Sequence, residues 1–476
     1  MLRIMIFHIN IFGKRFPNPL EELLIEITTG IQHLFPQLKG SSYQLVLENP
    51  PNFIESDYSF STFSIAVLTK LSPVDIAARI VEYFAENPLV IINEVNAIGP
   101  YVNIEVDKKL FRKKSLAHIL DQGKKFGTYN LKNHASVIIC YTSSNSTSKM
   151  TLDDLRQLLV GKVIGECYIR GGDYVKYNYY IADWDTEQND GVKTQLKKYF
   201  QAPQYRRRNV LKLLKKRKKI ILKNIKKTHK RIGFSISSYD LESEFFLLGK
   251  KVVEDAMRQK LAAHAANTQV VITLPIDKIP PLVLQKNDGS VTSFARHLAY
   301  IKSCLLKTRT SAMICLSSKE KTNSTEYLIA LAKKLKYSST EVSINAVYLS
   351  QNYSHEDLLT NIDPSLKYSI LRTPLNKEID ISAESLTYYS RIVNVTNQLT
   401  IWSGENDLFD DFNIIKLLIS LPMVIRDVRL SHDPSCICMY LEEVVQECKK
   451  KLTNDDKLLS KAVLIVLNNG LNILTY

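Results

Sequence analysis

Two stretches of the chain hold residues whose types and spacing bear on chemistry. In the first, VIICYTSSNSTSKMTLDDLRQLLVGKVIGE (137–166), Thr151 and Asp154 stand three apart just ahead of an apolar run at helical spacing. That is a capping-box pattern, in which the helix satisfies its own first N–H groups. A helix end without such a cap is an anion site, because its free N–H groups and dipole favour phosphate. Asp153 and Asp154 put two carboxylates at that positive end, where they repel a triphosphate. The second stretch is RRRNVLKLLKKRKKIILKNIKKTHKR (206–231), with fourteen cations: Arg206, Arg207, Arg208, Lys212, Lys215, Lys216, Arg217, Lys218, Lys219, Lys223, Lys226, Lys227, Lys230 and Arg231. No acid occurs between Asp190 and Asp240. Solvated helix faces generally mix signs, so an unmixed run points to a phosphate-binding surface, with a membrane-surface helix or a targeting signal as lesser readings. The formal charge of +15 over 476 residues resides almost entirely in this segment and points to a polyanionic partner. The seven cysteines and nine histidines have no metal-ligand spacing, so no metal is expected. An odd, scattered cysteine count suits free thiols in a reducing compartment.

The elements that must position these residues follow from periodicity. Val137 to Tyr141 is a short β-branched run, and Thr142 to Lys149 is small and polar. Leu152, Leu155, Leu159 and Val163 then recur at helical spacing, and Tyr174 to Ile181 reads as a second strand after Gly171-Gly172. Strand, helix and strand within about 45 residues form the βαβ unit of an open parallel sheet, whose ligands bind at the carboxyl ends of the strands. Val210, Leu213, Leu214, Ile220, Ile221 and Ile225 make one apolar stripe along the basic segment, which reads as an amphipathic helix. Strands at Ala312 to Leu316 and Val342 to Leu349, with a helix at Glu326 to Leu335, complete the sheet. No apolar run approaches the length of a membrane span.

The first stretch resembles the signature region of class I arginyl-tRNA synthetases. There the strand ends in Glu-(Phe/Tyr)-Ser-Ser-Pro-Asn, a lysine follows in the loop, and His-x-Gly-His-Leu-Arg opens the helix. Here the frame reads Cys140-Tyr141-Thr142-Ser143-Ser144-Asn145, then Thr151-Leu152-Asp153-Asp154-Leu155-Arg156. Gly161 falls at the family's helix glycine, and Ala182-Asp183-Trp184-Asp185 falls at its Gly-Asp-Trp-Gly. The resemblance implies a retained frame (Asn145, Arg156, Asp183, Trp184 and Arg296) around a degenerate signature. The two histidines are Thr151 and Asp154, the signature glycine is Asp153, the loop lysine is Ser148, and the glutamate that holds the substrate amino acid is Cys140.

The rest of the chain follows the same family. Asp57-Tyr58-Ser59, Pro73 to Ala77 and Gly99 to Asn103 resemble motifs of its additional N-terminal domain, which contacts the tRNA elbow. In that domain 57–71 and 73–88 show helical periodicity, and 98–106 is a strand after a Gly-Pro turn. KRIGFSISSYDLESEFF (230–246) and PPLVLQKNDGSVTSFARHLAYI (280–301) resemble later core segments; the family's substrate-side Tyr, Thr and Asp are Ser293, Ala295 and His297 here. The family then needs lysines in a late loop to neutralise pyrophosphate, but no Lys or Arg occurs from Ser338 to Leu366. The region from Ile379 to Tyr476 is helical in pattern and resembles the DALR anticodon-binding bundle, including its Asn469-Gly470-Leu471 ending. Met1 to Pro17, basic and without acids, reads either as a mitochondrial presequence or as a first strand.

The expected architecture is therefore an α/β Rossmann-like class I synthetase core with a small N-terminal α/β domain and a C-terminal all-α bundle. Residues 1–18 are the presequence candidate and 19–131 the N-terminal domain. The core is 132–355, with a basic helical insertion at 190–265, and the bundle is 356–476. The resemblance implies an arginine–tRNA ligase, but the replaced residues point to an RNA-binding protein that has lost aminoacylation. Its partner would be arginine tRNA or another structured RNA. It would act as an adaptor for a tRNA-modifying enzyme or as a ribosomal subunit component, with no membrane insertion and with a mitochondrial or else cytoplasmic location. No cofactor is expected on that reading. The alternative is a divergent, active ligase that uses ATP and Mg.

Overall fold

A computed structural model of the protein describes residues 4–5, 18–41, 45–51, 53–129, 131, 134–143, 150–184, 207–265, 269–272, 281–307, 310–318, 322–335, 337, 343–349, 363–380, 382–401, 412–451 and 457–474. In the N-terminal region β1 (Ile4–Met5) pairs antiparallel with β2 (Val46–Leu47). Helix α1 (Pro19–Leu34) begins where the Asn18 side chain accepts the N–H groups of Leu20 and Glu21. Its buried Leu20, Leu23, Leu24, Ile27 and Ile31 face inward. A three-stranded antiparallel sheet follows, with β3 (Tyr58–Ser61) against β5 (Tyr101–Val106) and β5 against β4 (Ile92–Ile98). Ile98 and Tyr101 are partners, so Gly99-Pro100 is a two-residue hairpin loop. Gly99 supplies the positive φ that such a turn requires at its first position. Helices α2 (Phe63–Thr69), α3 (Pro73–Glu86) and α4 (Lys108–Gln122) complete this layer. The helical periodicity expected over 57–71 holds only from Phe63. Tyr58, Ser59 and Phe60 are all buried within the sheet, where cross-strand packing decides their conformation.

The core is a five-stranded parallel sheet of β6 (Ser136–Ser143), β7 (Tyr174–Ile181), β8 (Ser238–Leu241), β12 (Ala312–Ser318) and β13 (Ser343–Leu349), in the order β13-β12-β6-β7-β8. Strand order reverses between β6 and β12, which is the switch point of a doubly wound sheet. Helix α5 (Leu152–Arg170) crosses from β6 to β7. Gly161 and Gly165 let it lie directly on the rings of Tyr141 and Tyr177, with no room for a Cβ at either position. Helix α6 (Arg207–Arg231) is the expected basic helix. After it come α7 (Phe246–Arg258), a small antiparallel sheet of β9 (Ala262–His264), β10 (Val270–Ile272) and β11 (Leu282–Gln285), then α8 (Ser293–Lys307) and α9 (Thr322–Lys334).

The C-terminal region is helical: α10 (Pro364–Arg372), α11 (Ala383–Ile401), α12 (Phe412–Ile419), α13 (Leu421–Ser431), α14 (Ser435–Lys451) and α15 (Lys457–Leu474). It packs on the far side of α5 and on α4. By length and composition alone α15 passes for a membrane span, contrary to the sequence expectation that no run comes close. Half of it is buried, with Ala462, Val463, Val466 and Leu467 inside, as in a core helix.

The Asn469-Gly470-Leu471 ending has a structural explanation. The Asn469 amide donates to the carbonyls of Gly123 at 2.9 Å and Phe126 at 2.8 Å, beyond the end of α4. Gly470 lets α15 close onto Leu441. Replacing Asn469 with Ala leaves one buried and one part-buried carbonyl without these donors. It should destabilise the protein by about 2–3 kcal/mol in urea unfolding. An unchanged midpoint would show that the two regions do not depend on this contact.

Candidate functional site

The structure describes two regions that the sequence singled out: the strand ends around α5, and the exposed face of α6. At the first, Thr151 caps α5 as expected. Its hydroxyl accepts the Asp154 N–H at 3.1 Å, and the Asp154 carboxylate accepts the Thr151 N–H at 3.0 Å. A second bond joins the Thr151 hydroxyl to the same carboxylate at 3.0 Å. The helix end is thus closed on itself, with Asp153 and Asp154 in its first turn. Asn145 and Ser148 lie outside the described residues.

The other members of the retained frame serve packing. Arg156 is fully buried and spans from α5 to the turn after α10. There its guanidinium donates to the carbonyls of Lys377 (2.9 Å), Pro374 (2.9 Å) and Thr373 (3.4 Å). It therefore neutralises the carbonyl end of α10 and fixes the C-terminal bundle on the core. Asp183, at the end of β7, accepts the N–H and the hydroxyl of Ser243, both at 2.8 Å. Trp184 lies over Phe246, with ring centroids 5.3 Å apart, and the Arg296 guanidinium stacks on its indole at 4.3 Å. Arg296 also pairs with Glu242 at 2.7 Å and donates to the Val291 carbonyl. This ion pair is almost wholly buried, so losing either partner would cost on the order of 3–5 kcal/mol. Asp183, Trp184 and Arg296 are thus brought together in one cluster, and Arg156 stands apart from it.

Between the carboxyl ends of β6 and β12 lies a cavity of about 400 Å³, lined in part by Cys140, Tyr180, Ser293 and His297. Cys140 accepts the Tyr300 hydroxyl at 3.5 Å, and burial pushes its thiol well above the usual range. A buried, protonated thiol is a poor nucleophile and gives no anchor for an ammonium group. Ser293 and His297 line the cavity at the positions expected from the sequence, whereas Ala295 is buried against Gly249. Sequence reasoning did not single out Glu242 or Tyr180. Glu242 carries no motif apart from its partner Arg296, and Tyr180 reads as one of several strand aromatics.

Helix α6 docks along its second half. Ile221, Leu222 and Ile225 pack on the core, and His229 is buried with its Nδ1 2.9 Å from the Tyr239 hydroxyl. One sequence expectation is corrected here. Ile220 is 63% exposed and outside the apolar stripe, which continues through Leu222 instead. Lys218, half-exposed, pairs with Glu244 at 2.7 Å. Lys226 is exposed and lies over the Tyr239 ring at 5.3 Å. Lys212, Lys215, Lys216, Lys219, Lys223, Lys226, Lys227 and Lys230 are exposed. At 100° per residue these fall within roughly 120° of one another, on a stripe about 27 Å long. Arg206 lies outside the described residues, and only the backbone is described at Arg207, Arg208, Arg217 and Arg231.

Burial pushes the His229 imidazole down to about 4. The native state therefore binds fewer protons than the unfolded chain between pH 6.5 and 4, and stability falls as pH drops through that window. The linkage amounts to roughly 3 kcal/mol. His432 is pushed to about 4 as well, by burial and by Arg429, and acts in the same window. In a His229→Gln variant the loss of stability from pH 7 to 4 should shrink by about one proton's worth of slope. Identical slopes in urea titrations of the two proteins would contradict the docking role of His229.

Comparisons with known proteins agree with this geometry. Residues 20–106 match the model of the arginyl tRNA synthetase N-terminal domain. The arginine–tRNA ligase of Leuconostoc citreum is 31% identical over 162 residues, 34% of this chain and 28% of the relative. That of Limosilactobacillus reuteri is 23% identical over 317 residues, 58% of this chain and 55% of the relative. The matched stretches thus span less than two thirds of these curated relatives. The arginyl-tRNA synthetase structure from Thermus thermophilus superposes with a TM-score of 0.71 at 14% identity, covering 96% of this chain and 98% of that one. The one from Plasmodium falciparum superposes with a TM-score of 0.73 at 13% identity, covering 97% and 99%. At such identities the structural likeness concerns the fold. The chain shares the arginyl-tRNA synthetase fold and is related in sequence to that family, most clearly through its N-terminal domain.

Proposed function

We propose that the protein binds structured RNA, with arginine tRNA as the favoured partner, and does not aminoacylate it. The observation that carries this reading is the exposed lysine stripe of α6, which combines eight ammonium groups with a length suited to a helical RNA backbone. The N-terminal domain and the DALR-like bundle would contribute the elbow and anticodon contacts that the family resemblance implies. Loss of ligation is supported by the closed N-terminus of α5, by Cys140 in place of the amino-acid-holding glutamate, and by a late loop without cations. The role would then be that of an adaptor for a modifying enzyme or of a structural subunit in a ribosome. Its proposed location is mitochondrial or else cytoplasmic.

A second reading is an active, divergent ligase that takes ATP and Mg. It is favoured by one observation, the near-complete superposition on two synthetase structures. ATP would then have to bind without the usual open helix end, against the carboxylates of Asp153 and Asp154.

Salt dependence tests the RNA interface. Each phosphate neutralised by a lysine releases counterions, so affinity should fall with a log–log slope of roughly −0.7 to −0.9 per contact. About five contacts imply a loss on the order of a hundredfold between 50 and 200 mM salt. Replacing Lys215, Lys216, Lys219, Lys223 and Lys227 with Gln removes exposed cations and keeps helix propensity, while Lys218 keeps its bridge to Glu244. The variant should unfold at the same temperature, bind arginine tRNA more weakly, and show a shallower salt slope. An unchanged slope in a folded variant would reject α6 as the RNA contact.

A further inference from the structure

We propose that Lys416 is a covalent binding site for a small aldehyde or ketone, which its amine holds as an imine. The site shares no residue with the lysine stripe of α6.

Lys416 belongs to α12, where the C-terminal bundle meets the N-terminal sheet. Its Nζ donates to the Asp57 carbonyl at 2.6 Å and lies over the Tyr58 ring at 4.8 Å and the Phe412 ring at 5.7 Å. The side chain is half-buried, and it lines a cavity of about 460 Å³ together with Ser56, Glu48 and Asn413. That volume lies in the range of small-molecule sites. One carbonyl and two rings thus hold the amine in place at the cavity wall. A surface lysine must give up its rotamer freedom before it can react, and Lys416 has already done so.

The same setting favours the reactive form of the amine. Taking an ammonium out of water disfavours its charge. Burial is the main influence on Lys416; the Asp57 carboxylate opposes it, and Lys108 on α4 adds to it. The carboxylates of Glu48 and, on α14, of Glu443 and Glu447 line the same cavity. The balance brings the amine down to about 8. At pH 7 about one such amine in ten is neutral, against about one in 2,500 for an ordinary lysine. Desolvated lysines are the ones that serve as Schiff-base nucleophiles.

The chemistry needs no oxidant or reductant. The neutral Nζ attacks the carbonyl carbon, and the C=O π pair moves to oxygen, which takes up the proton that nitrogen gives off. The carbinolamine then loses its hydroxyl with a second proton as one water, leaving the C=N bond. Hydrolysis returns the free carbonyl compound, so the capture is reversible.

Propanal with sodium cyanoborohydride, which reduces an imine to a stable secondary amine, tests the site on the full-length protein. Peptide mass mapping over time gives the labelling rate at each lysine. Lower basicity and partial burial take back part of the advantage in neutral amine. Lys416 should therefore react at least about tenfold faster at pH 7 than the exposed lysines of α6. Its rate should level off with a midpoint near pH 8. Asn413 is exposed and lines the cavity, so Asn413→Trp should slow labelling of Lys416 about tenfold, leaving the α6 rates and the thermal transition unchanged. Labelling of Lys416 no faster than that of the α6 lysines would overturn the proposal, and neither that comparison nor the pH profile needs a variant. A midpoint above pH 10, or an unchanged Lys416 rate in a folded Asn413→Trp protein, would overturn it too. RNA affinity and its salt slope enter none of these measurements, so this site and the proposed RNA-binding function can fail separately.

Discussion

Helix α5 is covered on two opposite faces, and the architecture depends on that constraint. One face lies on β6 and β7 through Gly161 and Gly165, whose missing side chains admit the Tyr141 and Tyr177 rings. The opposite face supports the C-terminal bundle: α10, α13 and α15 all pack on it. Arg156 in its second turn and Asp173 just beyond its end tie that bundle down, through the carbonyls after α10 and through Arg429 at 2.8 Å. A helix in this position cannot shift without opening both layers. Its N-terminus must therefore be satisfied in place, and Thr151 with Asp154 does so internally. The cap and the contacts that hold the helix in place depend on different residues.

The same separation accounts for the rest of the strand-end region. Asp183, Trp184, Glu242 and Arg296 form a closed set of bonds and stacked rings that holds β7, α8 and the turn before α7 together. None of them needs a ligand to be satisfied. The neighbouring cavity measures about 400 Å³, and among the described residues that line it the Glu242 carboxylate is paired with Arg296. Positive charge has instead gathered on α6, where eight exposed lysines face solvent and the opposite side is anchored by Ile221, Leu222, Ile225 and His229. Among the described residues these lysines form one unmixed positive stripe, which suits a polyanion bound from outside.

Much of this was legible in the sequence because it rests on local rules. The β6–α5–β7 unit, the capping box and the basic helix follow from periodicity and spacing alone, and β7 has the expected bounds, Tyr174 to Ile181. What was not legible depends on tertiary partners. Tyr58–Ser61 joins a sheet although it precedes a helical pattern, because β5 supplies its hydrogen bonds. Ile220 leaves the apolar stripe and Leu222 enters it, since the docking surface covers a different arc of α6. Lys218 finds Glu244 only once α6 lies against the segment after β8. The roles of Asp183, Trp184 and Arg296 could not be read from their motif, because their partners Ser243, Phe246 and Glu242 lie some 50 to 60 positions away, as Asp183 and Ser243 do at 60.

The central proposal is that a chain with the synthetase fold does not activate an amino acid. It is tested most directly by arginine-dependent exchange of labelled pyrophosphate into ATP, measured on the full-length protein with and without arginine tRNA. The account predicts exchange no higher than in a reaction lacking arginine, at any ATP concentration and with tRNA present. Arginine-dependent exchange above that background, co-purifying with the protein, would contradict it and establish the ligase reading.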